Sequence, residues 1–132
     1  MSCSESNLPL RIYRPLPLLD DRKQIEEVLR HGSIQELLIL PLALGEHWPN
    51  WKYAQDVCLR LAEHSEPEVR ANACLGLAYI ARTKQRLEKH LIKPILLREL
   101  RYQTELYWRI EDAIQDVNRY LGWRLANKHE DK

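Results

Sequence analysis

Ser65–Arg82 reads SEPEVRANACLGLAYIAR, and the choice of fold turns on it. Ser65-Glu66-Pro67 is a helix start, with proline in the first turn, where its missing N–H leaves no bond unmade. The helix then runs to about Arg82. Its first turn carries Val69-Arg70, and the next turns are crowded with small residues: Ala71, Ala73, Cys74, Gly76, Ala78 and Ala81. Small side chains on several sides allow a helix to be packed on several sides, so this segment reads as the middle of a stack. An arginine at its apolar entrance is either a ligand-binding cation or a tie to a neighbouring unit.

Working outward, TKQRLEKH is a polar connector, and Leu91, Ile95, Leu96 and Leu100 mark a fifth helix with Pro94 in its early part. A sixth covers about Glu105–Leu121, with Trp108, Ala113, Val117, Tyr120 and Leu121 apolar and Gly122 as its stop. Before Ser65, Ala54, Val57, Cys58, Leu61 and Ala62 keep helical spacing through WKYAQDVCLRLAEH. EHWPNW is a loop in which Asn50 caps. SIQELLILPLALG starts at Ser33 and is apolar enough to be buried; Pro41 should kink it or shift its boundary, and Gly45 should close it. Asp20 or Asp21 caps a first helix with Ile25, Val28 and Leu29 on one face, and Gly32 ends it. Residues 1–19, with Pro9, Pro15 and Pro17, read as an extended N-terminal arm, and 124–132 as a polar, fraying tail.

The six helices fall into three pairs, and the pairs look like repeats. EPEVRANACLGLAYIA lies over ELYWRIEDAIQDVNRYL with Arg70 against Arg109, an offset of 39 residues. Val69 then matches Trp108, Cys74 matches Ala113 and Ala78 matches Val117. A helical hairpin cannot bury its faces alone, whereas three stacked hairpins share a continuous core. Pro67-x-Val69-Arg70-x-x-Ala73 followed by a small-residue apolar helix resembles the second helix of a HEAT repeat, and WKYAQDVCLRLAEH resembles the first. Trp108-Arg109 gives a weaker second copy and residues 20–45 a weaker first one. The resemblance implies an all-α, right-handed α-α superhelix, a HEAT-like solenoid of about three hairpins over residues 20–123.

A narrower resemblance spans almost the whole chain. The pieces Arg14–Leu19, Trp51–Arg82 and Arg109–Trp123 are similar to a group of short bacterial HEAT-repeat proteins. Proteins of that kind look like immunity proteins of polymorphic toxin systems, including contact-dependent inhibition. The implied partner is one cognate toxin protein domain, a nuclease for instance, neutralised by occlusion of its active or substrate-binding surface. The implied protein is a monomer or weak dimer when free, with neither nucleic acid nor membrane as partner. A generic HEAT adaptor or lyase-accessory protein is the alternative. An alkylated-DNA-binding HEAT enzyme is disfavoured by size and charge.

Composition bounds these readings. The 132 residues are 45% apolar and 30% charged, with four Gly and no Phe, which suits one globular all-helical domain. A formal net charge of +1 lacks the basic excess of a nucleic-acid binder. No apolar run reaches membrane-spanning length, and the first residues show no charged region followed by an apolar one. Three cysteines, Cys3, Cys58 and Cys74, without paired spacing, suggest free thiols in a reducing, cytoplasmic compartment.

Catalytic chemistry finds little to work with. Asp112 and Asp116, one turn apart beside Glu111, form a carboxylate strip, but His31, His47, His64, His90 and His129 keep no ligand spacing and there is no C-x-x-C. No phosphate loop, nucleophile elbow or Cys/His motif is present, so no catalytic residue, metal site or cofactor is expected. Arg70 and Arg109 are expected to be structural, bridging repeats through Glu66, Glu68, Glu105 or Asp112. Six basic residues in Lys84–Arg101 contrast with four acids in Glu105–Arg119, which suggests an acidic groove for a basic partner. With Val69, Ala73, Cys74, Leu77 and Ile80 inward, Asn72, Leu75, Tyr79, Arg82 and Thr83 turn outward. The same offset maps Asn72, Gly76 and Tyr79 onto Glu111, Gln115 and Asn118. The partner-binding candidates are therefore Asn72, Tyr79, Trp108, Glu111, Asp112, Gln115, Asp116 and Asn118, with Trp48, Trp51 and Tyr107 as further aromatic anchors.

Overall fold

Side-chain caps open three of the six helices. In the structure, a computed structural model describing residues 21–126, the Asp21 carboxylate accepts the Lys23 N–H at 2.9 Å and starts α1 (Arg22–His31). Ser33 and Glu36 form a reciprocal capping box at the start of α2 (Ile34–His47). Asn50 accepts from Tyr53 N at 3.1 Å and opens α3 (Trp51–Leu61). Pro67 opens α4 (Pro67–Lys84), followed by α5 (Lys89–Tyr102) and α6 (Tyr107–Leu121). Gly122, at φ 70°, ends α6 in the left-handed region that suits glycine. Among the described residues there is no strand. The expected N-terminal arm, 1–19, lies outside them, as does most of the expected tail.

Several boundaries differ from expectation. α3 ends at Leu61 rather than His64, and TKQRLEKH is helical at both of its ends. Gly45 does not close α2; the helix passes through both Pro41 and Gly45 and ends at His47. Gly45 serves packing instead, because a Cβ there would stand 2.6 Å from Tyr79 Cβ and 2.7 Å from the Gly76 carbonyl. α6 begins at Tyr107 rather than Glu105.

The even helices α2, α4 and α6 lie side by side, with α4 between the other two. Contacts ascend together along α2 and α4: Asn72 Nδ2 donates to Leu38 O at 3.0 Å, and Thr83 Oγ1 to Gly45 O at 2.8 Å. The two helices are therefore parallel. The seam is close because Gly76 admits Pro41, whose Cβ and carbonyl would each lie 2.7 Å from an added Cβ. Nine of the 18 residues of α4 are buried, on nearly every side. Small residues in this helix do what the sequence suggested: they let it be crowded.

The odd helices α1, α3 and α5 are spanned by long polar side chains. Arg60 grips Glu26 with two hydrogen bonds of 2.9 Å, and Arg98 reaches Glu63 at 2.9 Å and the Ala62 carbonyl at 2.6 Å. Gln55, buried in α3, donates to the Glu88 carboxylate at 2.7 Å and accepts the Glu88 N–H at 2.8 Å, which holds the start of α5. The core runs between the layers, through Ile25, Leu44, Val57, Leu77, Ile92, Leu96 and Ile110.

Candidate partner-binding surface

Arg70 and Arg109 lie between helices. Arg70 Nε donates to Glu99 at 3.1 Å, and its Nη1 to the carbonyls of His64 and Ser65 at 2.9 and 3.1 Å. Its carboxylate is thus Glu99 of α5, none of the four acids the sequence offered. Glu99 is 2% exposed and also takes Arg98 at 3.0 Å and Gln103 at 2.9 Å. Spacing carries the missed signal: Ile92, Leu96, Glu99 and Gln103 are all buried and form one helical stripe. Arg109 donates to Asn72 Oδ1 at 2.7 Å and approaches Glu68 at 3.6 Å, joining α6 to α4.

Three of the outward-facing candidates are engaged inside the chain. Both ends of the Asn72 amide are used, by Leu38 O and by Arg109. The Asn118 amide donates to Leu125 O and accepts from Leu125 N, each at 3.0 Å, and so holds the segment after α6; Leu125, expected in a fraying tail, is 2% exposed. Tyr79 sits half-buried on the α2 seam with the Arg82 guanidinium over its ring at 4.6 Å. The wheel reading is corrected here because α4 is flanked on both sides, so residues pointing away from one neighbour meet the other. The 39-residue correspondence fails for the same reason at Val69, fully buried, against Trp108, 54% exposed.

α6 is different because it ends the row. Trp108, Glu111, Asp112 and Gln115 are exposed on it, with Asp116 half-buried beside them. At about 100° per residue these five share one side of the helix. The Arg109 guanidinium stands 5.3 Å from the Trp108 ring centroid. The exposed Arg119 lies on the same side, yet the carboxylates here make no ion pair with it. Glu26, Glu46, Glu63, Glu68 and Glu99 each pair with an arginine of another helix, whereas among the described residues Glu105, Glu111, Asp112 and Asp116 pair with no cation.

A cleft of about 320 Å³ lies beside this side, lined by Leu100, Tyr107, Glu111, Ile114, Gln115, Asn118, Leu125 and Ala126. It brings together three candidates, Glu111, Gln115 and Asn118. Tyr107 OH donates to Glu111 Oε2, a bond that raises the phenol pKa and fixes the carboxylate at the rim. Of its apolar lining, Leu100 was read from sequence only as part of a helix pattern, and Ile114, Leu125 and Ala126 were not singled out, since the lining comes from three separate segments.

The described residues bring no three His, Cys, Asp or Glu side chains together as a metal site would require. Cys58 and Cys74 are buried free thiols whose pKa values burial pushes up, so neither is a ready nucleophile. No helix is long and apolar enough to cross a membrane among these residues.

No family model matches the chain, and no curated protein matches it. Among solved structures, a chain in the crystal structure of a CDI complex from Cupriavidus taiwanensis LMG 19424 superposes with a TM-score of 0.70. The match covers 82% of this chain and 96% of that one at 18% identity. At that identity the likeness establishes a shared fold.

Proposed function

We propose that this chain is an immunity protein that binds one cognate toxin domain and neutralises it by covering its active or substrate-binding surface. The observation that carries the reading is the superposition of most of the backbone on a chain from a CDI complex, nearly end to end on that chain. The sequence resemblance to short HEAT-repeat immunity proteins points the same way. In this reading α1–α2, α3–α4 and α5–α6 are the three hairpins of a HEAT-like solenoid, and the row α2–α4–α6 is its inner side. The protein works in the cytoplasm by occlusion, without catalysis or cofactor, as a monomer or weak dimer until its partner arrives. The exposed side of α6 supports a docking role: it carries a half-exposed tryptophan beside unpaired carboxylates.

The test starts at the gene immediately upstream: a toxin domain encoded there is co-expressed with this chain. Growth should be restored, and the two proteins should elute as one complex in gel filtration. Toxicity that persists, with the two proteins eluting separately, removes the immunity reading.

A further inference from the structure

The cleft between α5, α6 and residues 125–126 combines an apolar lining with one oriented anion. Leu100, half-buried, offers methyl surface above a floor of Ile114 and Leu125 that is nearly inaccessible to solvent. The Asn118 amide is spent on Leu125, so the polar capacity left at the rim is that of Gln115 and Glu111. Tyr107 holds Glu111 through Oε2, and Oε1 has no partner among the described residues. A long side chain with an aliphatic stem and a cationic head matches this arrangement along its length. A neutral apolar side chain would leave Glu111 facing it unpaired, and an acidic one would be repelled by Glu111, Asp112 and Asp116.

We propose that this cleft is the docking pocket for one lysine or arginine side chain presented by the basic surface of a protein partner. The stem lies over Leu100, Ile114 and Leu125, and the head meets Glu111. Trp108, exposed on the same helix, packs against the partner's surface beside it. The inference deepens the immunity reading and rests on it for the partner's identity; the chemistry of the pocket is tested separately.

Two arms keep these apart. In the first, the ¹⁵N-labelled full chain is titrated with acetyl-arginine amide and with its neutral counterpart, acetyl-citrulline amide. Saturable shifts at Leu100, residues 111–118 and 125–126 with the arginine compound alone, lost in Glu111→Gln and in roughly 0.5 M salt, support the pocket. Shifts spread over all acidic surfaces, shared by citrulline or unchanged in Glu111→Gln overturn it. Movement of the same amides on simple dilution means that a second copy fills the cleft, and overturns it too. In the second arm the upstream toxin domain is the probe. Glu111→Gln should weaken the complex about tenfold or more with an unchanged thermal midpoint. A wild-type complex that Glu111→Gln leaves intact overturns the pocket while the immunity reading stands. An arginine-filled cleft with no toxin complex removes the immunity reading and keeps the pocket.

Discussion

Glu99 is a carboxylate almost without solvent, and two arginines and an amide make that tenable. Replacing Arg70 by alanine leaves it with Arg98 and Gln103 and strips the His64 and Ser65 carbonyls of their donor. A loss of about 2–3 kcal/mol is expected, read from urea unfolding. Glu26 sets a different dependence. Its bidentate bond from Arg60, aided by Tyr53, lowers its pKa from 4.5 to about 2. Because the folded value is the lower one, the stabilisation is complete above pH 4.5 and is lost as pH falls towards 2. Glu26→Gln should flatten that part of the acid limb, measured as the urea midpoint at about pH 6 and about pH 3. At this scale the sequence named Arg70 and Arg109 and, among four acids, the Glu68 that Arg109 approaches, but neither Glu99 nor Asn72. The partner of Arg70 lies 29 residues away and that of Arg109 37 away, distances no local pattern encodes.

Between elements, the α2–α4 seam is set by Gly45, Gly76 and Pro41. Gly76→Ala would gain about 1 kcal/mol of helix propensity and meet backbone on the other side, with overpacking of about 1–3 kcal/mol. The blocking atoms are a proline ring, its carbonyl and the Cys58 sulfur, which have little room to yield, so the cost lies at the upper end and a net loss of about 2 kcal/mol is expected in thermal or urea unfolding. Asn118→Ala should release residues 123–126 while α6 stays folded; hydrogen exchange should then speed up at Leu125 and not at Val117. Helix starts were legible because their signals are chemical and local: Asp21, Ser33 and Asn50 stand where they cap, and Pro67 takes the first turn. The end of α2 was not, because glycine stops a helix in solution but also lets two helices touch, and only the neighbour decides which.

For the molecule as a whole, the chain is used unevenly. Glu26, Glu63, Glu68 and Glu99 are each paired with an arginine across the structure, whereas among the described residues the carboxylates of α6 make no ion pair. Glu111→Lys with Asp112→Lys should therefore weaken binding of the upstream toxin domain by calorimetry without lowering the thermal midpoint. Glu111, Asp112 and Gln115 were legible as surface because α6 has a strong apolar stripe of Ile110, Ala113, Ile114 and Val117, whereas Trp108 was also matched to the inward Val69. Asn72 and Tyr79 were misplaced because the apolar residues of α4 surround it, so its pattern points nowhere in particular.

That last property has a consequence during synthesis. α4 leaves the ribosome with α2 ready to receive one flank, but the other flank belongs to α6, whose last residue comes 37 positions after Lys84. At about 5–20 residues per second this is a gap of a few seconds. Throughout it, a helix with buried positions on nearly every side stands half covered, and the nascent protein is then in need of a chaperone.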